Sequence, residues 1–543
     1  MNNKIMNGYI LKSIVVSGCE NLKINYPEVD KLNVFPVPDG DTGTNMKMTI
    51  EGGINEISAL DDQNIENVAK ILSRGMLMGA RGNSGVILSQ LFRGLAKGFK
   101  DKTQVNAIEL AAAYDSAVKQ AYKAVMTPVE GTILTVAREA SEKMTQIANS
   151  MMTITEFYEE YVAEAKASLA RTPELLPVLK EAGVVDSGGA GYLCILEGML
   201  SALHDKPIKA EDSNVSENFM EGLELKPHGY SLSLNVLFPE DYDAESFKSE
   251  ELSNHLKDIA NNLVITKTSE GLAITLRADN IGDALKAIQP YGEMVKVKIT
   301  NLNVNSKEEE EPKEPQEPVK PAEHKEYAVV TVANGQGLVE RLKEIGADYI
   351  VSGGQSMNPS TEDFIKAYRS LNADHIIVFP NNKNIFLAAD QSAKIYKDAQ
   401  IHVVPTKSIA QGLSALTMLD LSGEIDEILA SLNEVIANVT SGSITYSVRD
   451  TKLAGITIKT GDYIGIVDGK IVTSNGSRFS CMKNLLKNAV TEEKEIITLI
   501  VGEGVKSREL TDVKKYIERT YPNVEMDVIQ GDQDVYSYII SVE

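Results

Sequence analysis

Cysteine is scarce in this sequence, and its positions exclude two common structural devices. The chain has 543 residues and three cysteines, Cys19, Cys194 and Cys481. They are odd in number, lie far apart and form no CxxC pair, so the sequence indicates neither a disulfide framework nor a zinc site. This usage is typical of a reducing compartment, and we expect a cytoplasmic protein.

Positive charge and long apolar runs are also lacking. The formal net charge is −23, with 54 basic against 77 acidic residues. A nucleic-acid surface needs clustered lysine and arginine, so we expect no nucleic-acid partner. The same acidity disfavours docking on anionic membranes. Because no stretch is long enough to span a bilayer, we expect no direct membrane insertion, and any contact with lipid would pass through a soluble intermediary.

The chain is long enough for several domains, and its pattern changes along its length. Apolar residues recur at three- and four-residue spacing over 1–204, which predicts an all-α domain. Alternating segments such as SLSLNVLF, with a helix expected over 252–263, predict a small α+β domain at 215–304. Residues 305–326 are acidic and rich in proline, which is typical of a solvated linker. Residues 327–543 are expected to form an α/β region: strands and helices alternate as far as IHVVP (401–405), which predicts a parallel sheet, and residues from about 421 add a helix, a strand-rich segment and a final pair of strands.

The most informative segment is NVFPVPDGDTGTNM, residues 33–46. Asp39 and Asp41 flank a glycine, and carboxylate oxygens are ligands that Mg²⁺ takes together with phosphate oxygens. Gly40 and Gly43 allow a sharp turn and a close approach to a ligand. The following residues add groups that hold phosphate, as do the amides of the next helix: Thr42, Thr44 and Asn45. An Asp-Gly-Asp triplet alone, however, is more often an ordinary turn that caps a helix.

Three further glycine-rich loops precede helices in the same region. They are GARGNSGVILSQ (79–90) with Asn83 and Ser84, PVEGTILT (128–135) with Gly131 and Thr132, and GVVDSGGAGY (183–192) with Asp186 and Ser187. Each loop taken singly is more typical of a plain helix junction. Four such loops in one helical domain predict a shared polyanion site at one end of a bundle, because each supplies backbone amides and small polar side chains.

Two absences constrain the chemistry of this site. No Walker A motif occurs, and Gly335 and Gly337 match only part of a dinucleotide fingerprint, so we interpret that segment as a strand-to-helix turn. Residues 1–203 contain no histidine. A carboxylate acceptor is already ionised near pH 7 and needs no general base, so a kinase that acts on a carboxylate agrees with this composition. The candidate cations near the loops are Arg74, Arg81 and Arg138.

The loops also carry a resemblance to a known family. Six segments resemble the signatures of the fatty acid kinase ATP-binding subunit, which is related to the nucleotide-binding subunit of dihydroxyacetone kinases: NVFPVPDGDTGTNM, RGNSGVILSQ, GVVDSGGAGY, GGQSMNPSTEDF (353–364), FPNNKNIFLAA (379–389) and VVPTKSIAQGL (403–413). The segments are long and occur in the expected order, and the resemblance runs from near residue 7 to the end of the chain.

This resemblance implies an N-terminal barrel of about eight helices with ATP at one end. Asp39 and Asp41 would coordinate two Mg²⁺ ions that bridge the ATP phosphates, and Thr44 would act with them in catalysis. The other nucleotide-binding residues would be Thr42, Gly43, Asn45, Asn83, Ser84, Gly131, Thr132, Asp186 and Ser187. The reaction would convert ATP and a fatty acid to acyl phosphate and ADP. A separate fatty-acid-binding protein would present the acid to a homodimer and would bind its C-terminal α/β region.

The sequence departs from the related patterns at two places. Dihydroxyacetone kinases place a third metal-binding aspartate before the pair, and the candidates here are Asn33 and the more distant Asp30. A cysteine and a His-x-His pair of many members are replaced by Ser231, Thr275 and Arg277, so a metal site in the middle domain is not expected. The alternative functions are a dihydroxyacetone-type kinase of a small molecule and a nucleotide-dependent scaffold that catalyses no transfer.

Overall fold

The computed structural model describes most of the chain: residues 4–34, 40–209, 230–238, 252, 255–256, 259–267, 271–278, 280–301, 324–354, 357–447, 451–453 and 455–543. The chain divides into two compact units, one formed by residues 1–209 with 321–543 and the other by residues 210–320. The N-terminal helices and the C-terminal α/β region therefore belong to one unit, although residues 210–320 separate them in sequence.

The described part of the N-terminal region contains nine helices and two short strands. The helices are α1 (Gly8–Lys31), α2 (Thr42–Ile57), α3 (Ile65–Met78), α4 (Gly82–Gly98), α5 (Ala107–Ala124), α6 (Ile133–Ile147), α7 (Ile154–Leu175), α8 (Pro177–Ala182) and α9 (Ser187–Leu203). The strands, β1 (Met6–Asn7) and β2 (Gln104–Val105), pair antiparallel. The predicted helical architecture is confirmed, whereas the eight-helix barrel stays a prediction.

The first and last long helices of this region pack closely because glycines face each other. A Cβ on Gly18 would lie 2.7 Å from the Ile195 carbonyl oxygen, and one on Gly198 would lie 2.6 Å from the Ser17 carbonyl oxygen. The Ser17 hydroxyl donates to the Gly198 carbonyl at 2.6 Å. α9 also packs against α2 and α7, so the start of α9 is held near the start of α2.

In its described residues, the middle unit contains a four-stranded antiparallel sheet and a helix that follows the third strand. Its elements are β3 (Tyr230–Leu237), β4 (Ala260–Lys267), β5 (Gly271–Ala278), α10 (Ile281–Ile288) and β6 (Glu293–Asn301), and the strand order is β4-β5-β3-β6. The helix expected over 252–263 is wrong at its C-terminal end, because Ala260 begins β4 and pairs with Ala278 of β5. The register places Ser231 opposite Arg277, with Thr275 opposite Ser233.

The C-terminal region begins with the predicted parallel sheet. Its elements are β7 (Lys325–Ala333), α11 (Gln336–Glu344), β8 (Tyr349–Ser352), α12 (Thr361–Arg369), β9 (Ala373–Phe379), α13 (Lys383–Ile395), β10 (Gln400–Val403) and α14 (Ile409–Thr417). The order is β10-β9-β7-β8 with every pair parallel, so this prediction is confirmed. Residues 305–323 of the predicted linker lie outside the described residues. Gly335 lies in the turn between β7 and α11, as expected.

A second sheet forms from the last part of the chain. Its elements are α15 (Ile425–Asn438), β11 (Thr440–Tyr446), β12 (Thr451–Leu453), β13 (Ile456–Ile458), β14 (Tyr463–Val467), β15 (Lys470–Asn475), α16 (Arg478–Ala489), β16 (Ile496–Val501), α17 (Ser507–Thr520), β17 (Glu525–Gln530) and β18 (Tyr538–Val542). The order of the sheet is β15-β14-β11-β18-β16-β17, in which β16 and β17 are the parallel pair, and β12 and β13 form a separate antiparallel pair. Of the helices that the structure describes, none has the length and hydrophobicity needed to cross a membrane.

Candidate functional site

The Asp-Gly-Asp segment lies between α1 and α2. Asp39 lies outside the described residues. Gly40 adopts a φ of +67°, a left-handed conformation that favours glycine. Asp41 is the residue that precedes α2, but its side chain makes no capping hydrogen bond to the first turn of that helix. The Asp41 carboxylate is therefore placed at the positive end of a helix without being used as its cap.

Asp30 lies beside this loop despite its distance along the chain. Its carboxylate accepts hydrogen bonds from the Thr44 backbone N–H at 3.1 Å and from the Thr44 hydroxyl at 2.8 Å. Burial raises the pKa of Asp30, and the hydrogen bonds from Thr44 oppose that rise. A Cβ on Gly43 would clash with the Tyr26 carbonyl oxygen, so glycine is required where α2 meets α1. The fold thus brings Asp30 to the loop, because the last turn of α1 passes the first turn of α2.

Two of the companion loops meet the start of α2. The Ser187 hydroxyl donates to the Thr42 hydroxyl at 3.2 Å, and Ser84 Oγ lies 3.5 Å from the Thr42 carbonyl oxygen. Gly82 has a φ of +58°, and a Cβ there would lie 2.5 Å from Asn45 Nδ2. The loops at 33–46, 79–90 and 183–192 therefore form one cluster of short polar side chains at the N-termini of α2, α4 and α9.

Asp186 connects this cluster to the fourth loop. It precedes α9, is 5% exposed and accepts a hydrogen bond from the Gly189 N–H at 2.7 Å. Burial raises the pKa of Asp186 to about 6, while hydrogen bonds from the amides of Gly189 and Ile133 oppose the rise. Since Ile133 begins α6, the loop at 128–135 joins the cluster through its backbone.

The side chains of the loop at 128–135 form hydrogen bonds within their own turn. Gly131 has a φ of +80° and its N–H donates to the Thr135 hydroxyl at 2.8 Å. The Thr132 hydroxyl donates to the Val129 carbonyl at 2.7 Å. Thr132 therefore contributes to the turn, and its role as a nucleotide ligand stays a prediction.

The three candidate arginines have different surroundings. Arg138 pairs with Glu130 at 3.0 Å and with Glu142 at 3.3 Å, which is a surface network. Arg74 is exposed. Arg81 Nη1 lies 3.4 Å from Asp363 and donates to the Asn358 carbonyl at 2.7 Å. Of the three, Arg81 is the one that joins the helical loops to the C-terminal region.

The C-terminal region borders the cluster directly, which the sequence reasoning missed. Asn358 Nδ2 donates to Asp41 Oδ2 at 2.5 Å. Asn83 Nδ2 donates to Asn384 Oδ1 at 3.1 Å, and Gln90 Nε2 donates to Gln391 Oε1 at 2.7 Å. The sequence signal for this contact was the segment GGQSMNPSTEDF, which contains Asn358 and is as long as the motifs of the N-terminal loops.

The C-terminal region also contains a cavity of about 630 Å³. Its lining mixes aliphatic side chains such as Leu338, Ile436 and Ile539 with polar ones, which include Lys383 and Lys407. Among the described residues, three buried amide atoms of its lining residues have no hydrogen-bond partner: Asn381 Oδ1, Asn382 Nδ2 and Gln533 Oε1. No pattern in the sequence indicates this cavity, because its lining comes from many separate segments.

Family models match three successive segments of the chain. The DAK2 domain matches residues 36–201, the FakA-like (fatty acid kinase) middle domain matches 230–309, and the FakA-like C-terminal domain matches 328–543. Together the three models span the glycine-rich loops of the helical region, the middle sheet and the C-terminal sheets.

Similar proteins are found along the whole length of the chain. Protein YloV of Bacillus subtilis (strain 168) is 40% identical over 100% of both chains, and an uncharacterized protein of Staphylococcus aureus (strain USA300) is 39% identical over 99% of both. Among solved structures, the DegV family protein Cg2579 from Corynebacterium glutamicum has 11% identity and a TM-score of 0.31, and covers 40% of this chain and 95% of its own. The fatty acid kinase B3 protein of Streptococcus pneumoniae, loaded with linoleic acid, has 10% identity and a TM-score of 0.28, and covers 40% of this chain and 99% of its own. By the three family models and the full-length relatives, the chain belongs to the FakA-like family of fatty acid kinase proteins.

Proposed function

We propose that this protein is the ATP-dependent subunit of a fatty acid kinase, which transfers the γ-phosphoryl group of ATP to a fatty acid carboxylate. The observation that carries the proposal is the convergence of three polar loops on Thr42, through Ser187 at 3.2 Å and Ser84 at 3.5 Å. Loops that present backbone amides at helix N-termini are suited to bind phosphate. Membership of the family supports a kinase of this class.

The donor set beside α2 suits Mg²⁺. Asp41, Asp30 and the amide oxygen of Asn45 are hard oxygen donors within one cluster, and Mg²⁺ prefers such ligands. Asp39 and Asp41 would hold two ions, with Asp30 beside Thr44 as the better placed candidate for the third acid. When bound, the metal would screen the charge of the phosphates. The part of this chain is to align the phosphates through Thr42, Thr44 and the loop amides.

The composition of the helical region is compatible with a carboxylate acceptor. Residues 1–203 contain no histidine to activate an alcohol. A fatty acid carboxylate attacks in its ionised form, its oxygen forms a bond to the γ-phosphorus, and the bond to the β-γ bridging oxygen breaks to release ADP. No proton has to be removed from the acceptor in this step. A separate fatty-acid-binding protein would present the acid, docked on the region 327–543 of a homodimer.

The domain division proposed for this activity assigns a task to each part. Residues 1–204 would bind Mg-ATP, 215–304 would form the middle domain, 305–326 would connect it, and 327–543 would bind the partner. The contact of Asn358 with Asp41 supports a close association of the first and last of these parts.

An ADP-release assay on the full-length protein tests this proposal. With Mg-ATP, oleate and a purified DegV-family fatty-acid-binding protein, we expect ADP release that requires all three. Asp41→Ala should lower the rate by about 10²–10³-fold, a range typical of losing one charge-stabilising group. Asp115→Ala, which removes a surface carboxylate paired with Lys119 on α5, is the matched control and should retain full activity.

The same assay separates the alternatives. ADP release with dihydroxyacetone and a different substrate subunit, but not with oleate, would indicate a small-molecule kinase. Binding of Mg-ATP without ADP release under either condition would indicate a nucleotide-dependent scaffold. Undiminished turnover by Asp41→Ala would contradict the assignment of the site itself.

A further inference from the structure

One side chain of the C-terminal region reaches the start of α2. Asn358 lies between β8 and α12 and is 2% exposed. Its Nδ2 donates to Asp41 Oδ2 at 2.5 Å and lies 3.5 Å from Asn45 Oδ1. A Cβ on Gly82 would also lie 3.4 Å from Asn358 Nδ2. The amide of Asn358 is therefore enclosed by the two loops that begin α2 and α4.

The main chain around Asn358 is fixed by the loop that precedes α4. Arg81 Nη1 donates to the Asn358 carbonyl at 2.7 Å, and Arg81 pairs with Ser360 in an antiparallel bridge. The Thr361 N–H donates to the Ala80 carbonyl at 3.2 Å. Ser360 in turn caps α12 through a capping box with Asp363. Because these contacts hold the backbone at Asn358 and at the residues that follow it, they constrain the direction of its side chain without involving Asp41.

The other end of the same amide group has no partner. Asn358 Oδ1 is buried and makes no hydrogen bond with any residue that the structure describes. A buried acceptor left unpaired costs about 1–3 kcal/mol, so such an atom is expected where a ligand pairs with it. Mg²⁺ in proteins keeps several of its waters, and each of these waters donates hydrogen bonds. The oxygen of an amide group whose nitrogen contacts the Asp41 carboxylate is a suitable acceptor for one of them.

We propose that Asn358 is a positioning residue of the nucleotide site, supplied by the C-terminal region. Its Nδ2 orients the Asp41 carboxylate, and its Oδ1 accepts a hydrogen bond from the hydration shell of the bound metal. This inference rests on the proposed Mg-ATP site. It makes that site composite, since the helical region supplies the phosphate loops and the C-terminal region supplies the residue that aligns the acid.

Mg²⁺-dependent binding of ATP to the full-length protein tests the role of Nδ2. Residues that orient a metal ligand typically alter metal affinity by about 10–100-fold when removed. We therefore expect Asn358→Ala to raise the half-saturating Mg²⁺ concentration for ATP binding by at least about tenfold. Its affinity for ATP in EDTA should stay within twofold of the wild type, because the loop amides are unchanged.

A matched variant separates this role from general support of the interface. Gln391 is also buried between the two regions, where its Nε2 donates to the Leu77 carbonyl at 2.9 Å and to the Thr361 hydroxyl at 3.1 Å. Gln391→Ala removes these contacts without touching Asp41. We expect its half-saturating Mg²⁺ concentration to stay within twofold of the wild type, even if its thermal stability falls.

The nearly isosteric variant Asn358→Asp provides an independent readout without ATP. Two adjacent carboxylates repel each other in EDTA, so the unfolding temperature should fall, and Mg²⁺ should raise it by more than it raises that of the wild type. A larger Mg²⁺ response supports a position beside the metal. The same response as the wild type would overturn the inference, whether or not Asn358→Ala folds.

The remaining outcomes are equally decisive. If Asn358→Ala binds Mg-ATP like the wild type, or if Gln391→Ala is impaired as strongly, Asn358 has no specific role at the metal. If the wild-type protein itself does not bind Mg-ATP, the proposed function fails, which is a different result from the failure of Asn358 alone.

Discussion

Replacing Asp186 by asparagine should stabilise this protein at neutral and alkaline pH. Asp186 is buried where α9 begins, and its pKa is raised from 3.8 to about 6 by burial. A carboxyl group whose pKa is raised on folding supports the folded state below pH 3.8, and this support is lost as the pH rises to about 6. At about 1.4 kcal/mol per pKa unit, ionised Asp186 costs the folded state about 3 kcal/mol above pH 6.

The variant should therefore differ from the wild type in a pH-dependent way. Linkage gives a stability advantage of about 2 kcal/mol for Asp186→Asn at pH 5 and about 3 kcal/mol at pH 8. Asparagine keeps an oxygen that can accept the Gly189 N–H, but it can lose the acceptor for the Ile133 amide. That loss lowers the absolute advantage equally at each pH, so the rise of about 1 kcal/mol between pH 5 and pH 8 is the diagnostic quantity.

Denaturant unfolding of the full-length protein, followed in EDTA without nucleotide, measures this difference. Other titrating groups are shared by the two proteins and cancel in the comparison. Asp283→Asn is the control, because Asp283 lies in the middle unit and outside the cluster. If the stability difference between Asp186→Asn and the wild type is constant from pH 5 to pH 8, Asp186 does not titrate in this range and the burial argument is wrong.

Two further predictions concern other parts of the molecule. Gly82→Ala should lower stability and Mg-ATP affinity more than Gly183→Ala. Both glycines have a positive φ, of +58° and +68°, so both substitutions strain the backbone. Only at Gly82 would the added Cβ also clash, since it would lie 2.5 Å from Asn45 Nδ2, whereas nothing lies within 4 Å of a Cβ at Gly183. Backbone strain alone costs about 1–2 kcal/mol, so equal losses in calorimetric unfolding would refute the steric argument. Burial, and then the neighbouring His375 at 3.0 Å, lowers the pKa of His402, while Asp426 opposes this change. The contribution of neutral His402 to stability is therefore present above pH 6.5 and lost as the pH falls below that value. His402→Gln should flatten the pH dependence of the free energy of unfolding, measured with denaturant, between pH 7.5 and pH 5.5. An unchanged pH dependence would contradict this prediction.

Local sequence patterns were sufficient for much of the fold. The helices of residues 1–204 follow from apolar spacing, and the capping boxes at Asn106 and Thr153 follow from residues three positions apart. The parallel sheet of the C-terminal region follows from alternating strands and helices. The helix expected over 252–263 was wrong at its end because pairing of Ala260 with β5 overrides a helical pattern.

The candidate site was only partly predictable, because it too depends on contacts between segments that are distant in sequence. The loops around Thr42, Ser84 and Ser187 were identified from glycines and small polar residues, and their convergence is a property of the packed helices. The placement of Asp30 beside Thr44 was not predictable from spacing, because α1 returns it to the loop. Sequence by itself determined which residues can turn, cap or bind phosphate, since these are properties of single side chains and their near neighbours. Tertiary structure alone decided that Asn358 meets Asp41 across 317 residues, because a contact between distant segments depends on how helices and sheets pack, and no local preference records it.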